Sequence, residues 1–461
     1  MTTTATYPHA RRGAPVRPWW GEAALAAAWL TMVIVVGLWV ANRGFQAMTD
    51  AAGVLNSLGR LTGLVAADLL LIQVLLMARI PLVERVFGQD ALARRHRLVG
   101  FTSFWLMVAH VVLITIGYAE AARVPLLDQL WQLVTEYPGM LLATAGTVAL
   151  VVVVGLSIRA ARRRLRYESW HLIHLYAYLG VGLALPHQLW TGTDFTASPV
   201  ATVYWWTLYA LALLAVLVYR IGLPLWRSHR HRLRVTSVVR ESPDVVSVHL
   251  GGRALGRLPV RAGQFFLWRF LDGPGWSRAH PYSLSAAPGG DSLRITVKDL
   301  GDGSARVAGL APGTRVLVEG PYGAVTSARR TSRQVLLVAA GVGITAVRGL
   351  LEELPFAPGE LTLLYRVRHR RDAVFARELD WFVANRGLRL IYLEGNRAKD
   401  SWLPVGFAAT DGAEALRRLV PEIAEHDAFL CGPPRFMSAV RDSLRRCGVP
   451  AERIHAEEFA W

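Results

Sequence analysis

Between Trp19 and Tyr219 the apolar residues come in runs of about 20, and no other feature limits the fold so strongly. At 1.5 Å per residue, roughly 20 residues of helix cross the ~30 Å hydrocarbon layer of a bilayer. No water satisfies a backbone N–H or C=O there, so each run has to be a helix. Six spans follow, at about 20–41, 58–80, 97–118, 139–158, 170–190 and 200–221. After His229 the apolar residues fall into patches of strand or helix length, which places a water-soluble half behind the membrane half. A hydrophobic share of 53% over 461 residues, too high for an ordinary soluble enzyme, agrees with this division.

The formal charge of +17 would suit nucleic acid if the arginines formed one patch, but they lie in short clusters between the spans. Arg79, Arg85, Arg94, Arg95 and Arg97 follow the second span, Arg159, Arg162, Arg163, Arg164 and Arg166 the fourth, and Arg220, Arg227, Arg230 and Arg232 the sixth. The alternate connections carry Glu120, Asp128 and Glu136, and Asp194. The clusters are therefore a topology signal, and they assign no nucleic-acid partner. By the positive-inside rule both termini and the soluble half face the cytoplasm across the cell's plasma membrane. Residues 1–18, rich in Thr, Arg and Pro, read as a disordered cytoplasmic tail. Cys431 and Cys447 have no metal-ligand spacing and follow no secretory signal, so no disulfide framework is implied.

In the soluble half, β-like segments at 233–250, 264–270, 293–299 and 315–318, with Gly and Pro turns between them, predict a small antiparallel barrel. From Gln334 the pattern alternates: strand 334–340, a glycine turn, helix 345–354, strand 361–365, helix 373–383, strand 389–393 and strand 428–431. That alternation predicts a doubly wound parallel sheet. The expected domains are a six-helix membrane bundle at 19–222, an antiparallel barrel at 229–326 and an α/β domain at 333–461.

An ionisable side chain inside a span is costly enough to point to function. His96 and His110 stand 14 residues apart on the third span, and His174 and His187 13 apart on the fifth. Each spacing is ~20 Å of helix. Both spans start from the cytoplasm, so His96 shares a depth with His174 and His110 with His187. Two stacked haems need this arrangement, with two imidazoles per iron offered by neighbouring helices. Fourteen residues return a helix to within about 40° of one face and thirteen leave it about 140° away, so the fifth helix has to be irregular. Pro186 offers a kink there. His171, three residues before His174, is the alternative inner ligand.

These residues, with the segment YESWHLIHLYAYLGVGLALPH, resemble the ferric reductase and NADPH oxidase family of transmembrane flavocytochromes over about residues 58–461. The resemblance implies two b-type haems held by His96, His110, His174 and His187. It also places Arg60 near the outer haem and the acceptor site. Ile114 stands where oxygen-reducing members often carry a further histidine, a departure from the superoxide-producing pattern.

The soluble half resembles ferredoxin-NADP reductase modules. His280-Pro281-Tyr282-Ser283 matches the flavin signature, with His280 where soluble members usually carry Arg. A Tyr can stack on the isoalloxazine, while hydroxyl and imidazole groups bond to the ring or the phosphates. Thr296, Val297 and Lys298, then Gly303 and Ser304 at a loop-to-helix turn, match the FAD pyrophosphate cradle, followed at family spacing by Gly320-Pro321-Tyr322-Gly323. The turn from Gly341 through Gly343, Ile344 and Thr345 has the form of a dinucleotide-binding turn. Arg366 and Arg368 follow the next strand and favour NADPH, through its 2′-phosphate, over NADH.

Cys431-Gly432-Pro433 matches the nicotinamide-side motif, in which Cys431 orients the ring. The ending Glu457-Glu458-Phe459-Ala460-Trp461 matches the Glu-x-aromatic terminus, with Phe459, or else Trp461, covering the flavin. Together these imply electron transfer from cytoplasmic NADPH through FAD and two haems to an extracytoplasmic acceptor, oxygen or ferric iron. One rival is a membrane-anchored subunit that feeds a partner protein or quinone. Another is a transporter with a nucleotide sensor, which would have no use for four matched histidines. No protein partner is identified by the sequence.

Overall fold

A computed structural model describes residues 19–158, 167–399, 401–407 and 409–456. It divides into two compact units, one reaching Ile221 without residues 88–90, the other made of 88–90 and the chain from Gly222 onward.

The first unit is helical. Its elements are α1 Trp19–Ala41, α2 Ala51–Met77, α3 Pro81–Phe87, α4 Gln89–Ala122, α5 Leu126–Glu136, α6 Met140–Ser157, α7 Tyr167–Trp190 and α8 Pro199–Ala215, the last continuing as a π-helix to Gly222. Local chemistry sets the starts of α2 and α8. The Asp50 carboxylate accepts Gly53 N–H at 2.7 Å, and the Ser198 hydroxyl accepts Ala201 N–H at 3.2 Å ahead of Pro199. Outward-facing Trp29, Trp105, Leu141 and Val203 are exposed, an arrangement that lipid tolerates and water does not.

Among the described residues five helices are long and apolar enough to cross a membrane: Trp19–Ala41, Ala51–Met77, Ala91–Ala122, Met140–Ser157 and Pro199–His231. Five of the six expected spans correspond to these helices. The fifth expected span does form a helix, α7, of 24 residues, but its histidines and Gln188 lower its hydropathy below the others. Also, α2 begins at Ala51, seven residues ahead of the expected 58.

α1, α2 and α8 pack through Val35, Trp39, Leu64, Leu71, Trp205 and Leu208. The buried Asp68 ties the three together, accepting from Tyr204 at 2.7 Å and Thr31 at 3.1 Å. α6 and α7 meet backbone to backbone: a Cβ at Gly146 would stand 2.8 Å from the Gly180 carbonyl, and one at Gly180 3.1 Å from that of Gly146.

In the second unit, α9 Leu223–His231 precedes six strands: β1 Arg234–Ser242, β2 Val245–Gly251, β3 Phe265–Phe270, β4 His280–Ser283, β5 Ser292–Lys298 and β6 Val316–Tyr322. They make two three-stranded antiparallel sheets, β1-β2-β5 and β4-β3-β6. Bridges Leu284–Ile295 and Arg234–Arg315 join the sheets at both seams around one core that holds Val248, Phe266, Trp268 and Ile295. The expected single segment 233–250 turns at Pro243–Asp244, and β4, read only as a motif, is a strand.

Five parallel strands complete the unit: β7 Val335–Ala340, β8 Leu361–Val367, β9 Arg389–Glu394, β10 Asp427–Cys431 and β11 Ile454–Ala456, in the order β11-β10-β7-β8-β9. Helices α10 Ile344–Glu353, α11 Ala376–Arg386, α12 Gly412–Leu419 and α13 Pro434–Arg446 accompany them. Strand order reverses between β7 and β10. In a doubly wound sheet the ligand crevice opens at that point, outside the carboxyl ends.

Candidate functional site

The four membrane histidines stand on two helices, His96 and His110 on α4, His174 and His187 on α7. The His96 and His174 rings lie with centres 5.9 Å apart and planes at 66°. Two imidazoles ligating one metal, each through a bond of about 2 Å, put their ring centres about 6 Å apart.

Each of the four uses Nδ1 for a hydrogen bond. His96 Nδ1 meets the Gln73 carbonyl at 3.3 Å, His110 Nδ1 the Gly59 carbonyl at 2.8 Å and His187 Nδ1 the Ala184 carbonyl at 2.6 Å. A carbonyl only accepts, so these three carry their proton on Nδ1 and present the Nε2 lone pair. His174 Nδ1 meets Ser157 Oγ at 3.3 Å. That hydroxyl already donates to Val153 O at 2.7 Å, so it accepts from His174 and leaves the same tautomer. Iron-ligating histidines are oriented in this way by a second partner. Among the described residues no group of three or more His, Cys, Asp or Glu could hold a bare metal ion. Pairs suffice for haem, whose porphyrin supplies the remaining ligands, so these residues fit the group.

The carbonyls that orient the α4 histidines, Gly59 and Gln73, are themselves 73 − 59 = 14 residues apart on α2. Sequence reasoning missed them. The signal available was the glycine pair Gly59 and Gly63 opposite His110, since a Cβ at Gly63 would stand 2.5 Å from His110 Nδ1. Pro186 lies inside α7 next to His187 and removes one backbone donor, an irregularity of the kind the 13-residue spacing requires. Arg60 is engaged by the buried Asp194: Nε reaches Oδ2 at 2.7 Å and Nη2 reaches Oδ1 at 2.5 Å, while Asn42 bonds the same carboxylate at 2.7 Å. Its bidentate pair holds the segment after α7 against α2.

In the soluble unit β4 carries His280, Pro281, Tyr282 and Ser283, paired with β3 from Trp268 to Phe265. The His280 and Tyr282 rings are stacked, 6.0 Å apart at 13°. A Cβ at Gly303 would stand 2.5 Å from His280 Cε1, so the signature strand and the glycine turn Asp302–Ala305 meet. Burial pushes the Tyr282 phenol above its ordinary range, keeping it neutral.

The side chains of the following motif have other partners. Thr296 and Val297 are buried in the barrel, with Thr296 bonded to Ser285 and Ser247 at 2.8 Å each. Lys298 pairs with Asp244 at 3.1 Å. Ser304 closes its own turn, accepting Leu300 N–H at 2.7 Å and donating to Gly301 O at 3.0 Å. β5 turns Leu293, Ile295 and Val297 into the barrel core and Arg294 out to Glu378.

At the switch point Gly341 has φ +55 and Gly343 sits against the second motif: a Cβ there would stand 2.3 Å from the Cys431 carbonyl and 3.0 Å from Gly432 N. Ile344 and Thr345, buried, begin α10, and Pro433 leads into α13. Cys431 is a buried thiol outside any disulfide. A small, partly open gap lined by Gly263, Val325, Ala346, Val347, Leu350 and Cys431 lies where barrel and sheet meet.

Arg366, one of the two arginines expected at the 2′-phosphate, has backbone partners in this structure. It is 8% exposed, and its Nη1 donates to the carbonyls of Val367 and, at 3.0 Å, Leu393, because β9 runs alongside and captures it. Burial, with help from Arg397, lowers its pKa. Arg368, one residue past the end of β8, is exposed. Glu457, Phe459 and Trp461 lie outside the described residues.

Comparison with known proteins matches residues 62–185 to the family described as ferric reductase like transmembrane component and residues 337–442 to the oxidoreductase NAD-binding domain. The ferredoxin reductase component of 3-ketosteroid-9-alpha-monooxygenase from Mycolicibacterium smegmatis is 33% identical over 242 residues, 50% of this chain and 66% of that protein. The glycine betaine monooxygenase reductase subunit of Chromohalobacter salexigens is 28% identical, over 51% of this chain and 65% of its own length. The flavohemoprotein of Chromobacterium violaceum is 33% identical, over 49% and 59%. The chain thus spans less than two thirds of each relative. Among solved structures, the FAD/NAD-binding domain of a nitric oxide dioxygenase from Vibrio cholerae is 27% identical, covering 50% of this chain and 98% of that one with a TM-score of 0.41.

Proposed function

Because the chain is a membrane NAD(P)H-dependent oxidoreductase that joins a ferric reductase-like transmembrane domain to an FAD/NAD-binding domain, we propose that it moves electrons from cytoplasmic NADPH across the plasma membrane to ferric iron or oxygen outside. The cofactors, FAD and two b-type haems, supply hydride acceptance and one-electron transfer when bound. The protein's own part is to hold and orient. His96 with His174, and His110 with His187, offer Nε2 to each iron. Tyr282 stacks on the flavin ring, His280 and Ser283 bond to it, and the backbone of Gly303 and Ser304 takes the pyrophosphate. The turn Gly341–Thr345 and Gly432-Pro433 seat the dinucleotide, Cys431 orients the nicotinamide, and Arg368 reads the 2′-phosphate. By the resemblance, the ending that holds Glu457 and Phe459 would supply the aromatic cover of the flavin, and Arg60 would serve the acceptor side.

The observation that carries this reading is the shared Nδ1 hydrogen bonding of four histidines at two depths, with 5.9 Å between the rings of one pair. A second reading, delivery of electrons to a partner protein, is favoured by relatives whose names describe reductase components of monooxygenases. Purified protein in nanodiscs, given NADPH and then ferric chelate or oxygen, separates the two. Steady turnover supports the first reading, and reduction of the haems with no turnover supports the second.

A further inference from the structure

α10 begins at the glycine turn of the nucleotide crevice and ends, about 15 Å further on, on the barrel. Its last two residues are Glu352 and Glu353. A helix C-terminus disfavours negative charge, so helix formation does not account for them. Their partners do. Glu352 Oε2 accepts the backbone N–H of Ala287 at 2.7 Å, and Glu353 Oε2 accepts that of Ala262 at 2.7 Å. Ala262 lies just before β3 and Ala287 just after β4, so the two carboxylates grip both ends of the hairpin that carries the flavin signature. Glu353 also takes the Ser327 hydroxyl.

A second layer braces the first. Arg348, one turn earlier on α10, donates to Glu352 and, at 2.6 Å, to Glu378 of α11. Arg294 of β5 meets Glu378 at 2.8 Å and 3.1 Å and bonds the Ser285 carbonyl at 2.8 Å. Burial works against the charge on Glu378, but the hydrogen bonds and charges of Arg294 and Arg348 outweigh it and hold the carboxyl below its usual range.

We propose that Glu352 and Glu353 are positioning residues that set the reach between the nicotinamide crevice and the flavin hairpin. The inference rests on the proposed hydride transfer to flavin. A carboxylate bonded to backbone N–H is a charge-assisted contact, and here the helix that seats the nucleotide is tied directly to the strands that seat the flavin. Such geometry has to hold within about 0.5 Å for transfer to be efficient.

The test uses the full chain in nanodiscs with Glu352→Ala/Glu353→Ala and the conservative Glu352→Gln/Glu353→Gln, whose amide oxygens still accept both N–H groups. In the Ala pair, hydrogen exchange at the Ala262 and Ala287 amides should quicken by about tenfold or more, an opening scaled to a lost charge-assisted bond. Flavin reduction at saturating NADPH should slow by about tenfold with KM within about twofold, and the Gln pair should restore both. Faster exchange with an unchanged reduction rate overturns the positioning role, and so does unchanged exchange. A Gln pair as slow as the Ala pair overturns it as well. If the parent protein itself transfers no hydride from NADPH, the proposed function fails and not the clamp.

Discussion

At the scale of single residues, the four histidines make the sharpest claim. His110→Ala should lower the haem content from two to one per chain while flavin reduction by NADPH continues, checked by pyridine haemochrome and flavin release. Two haems retained in that variant would refute the ligand set. The arginines at the end of β8, Arg366 inside it and Arg368 just past it, give a second prediction. Arg368→Ala should raise KM for NADPH by about tenfold or more and leave NADH unchanged, since a lost charge-assisted contact is worth ~1.5–3 kcal/mol. Arg366→Ala should affect both nucleotides alike, because its bonds run to the carbonyls of Val367 and Leu393. An NADPH-specific loss from Arg366→Ala would reverse the assignment. The sequence could not separate these two positions. They alternate onto the same side of a strand, and which one β9 captures depends on where β8 stops. The histidines, by contrast, were legible because polar groups are rare inside spans, although their Nδ1 partners on α2 and α6 come from tertiary packing.

His455 supplies a prediction in pH. Burial pushes its pKa down to about 4 from 6.5, with Asp427 pulling the other way, so at neutral pH the 3.9 Å contact with Asp427 is not an ion pair. The unfolded chain binds this proton first as pH falls. The stability contribution is therefore present above about 6.5 and lost as pH falls towards about 4, on the order of 3 kcal/mol in all. His455→Gln should flatten that part of the stability profile, measured by denaturant unfolding of the soluble unit's signal between those limits. A profile as steep as the parent's would show that His455 is not the group responsible.

At the scale of elements, Gly343 shows how tightly the two nucleotide motifs are joined. In Gly343→Ala the new methyl would meet the backbone carbonyl of Cys431 at 2.3 Å, so the clash cannot be relieved without parting β10 from the start of α10. We expect nucleotide affinity to fall by about tenfold or more and the melting temperature to drop, overpacking of this kind costing ~1–3 kcal/mol. Wild-type affinity in the variant would mean that the motifs are not in contact. β7, β8 and β10 were legible as apolar runs because strands buried on both faces read that way. The three-residue β11 is too short for such a reading, whereas α13 buries Phe436, Met437, Val440 and Leu444 at helical spacing, a signal present in the sequence and passed over. α7 was legible as a span for the reason that it also fails as a purely apolar one, since the histidines that give it a role lower its hydropathy.

At the scale of the whole molecule, the chain falls into a helical unit ending at Ile221 and a second unit from Gly222 onward. The central claim is that one chain holds every cofactor the electron needs between nicotinamide and the outer face. It is tested most directly by a reduced-minus-oxidised visible spectrum of the purified chain, with haem and flavin quantified per polypeptide and NADPH as the reductant. The account predicts two b-type haems and one FAD per chain, all reduced by NADPH. A chain that binds flavin but shows no haem bands, or whose haems stay oxidised under NADPH, would contradict it.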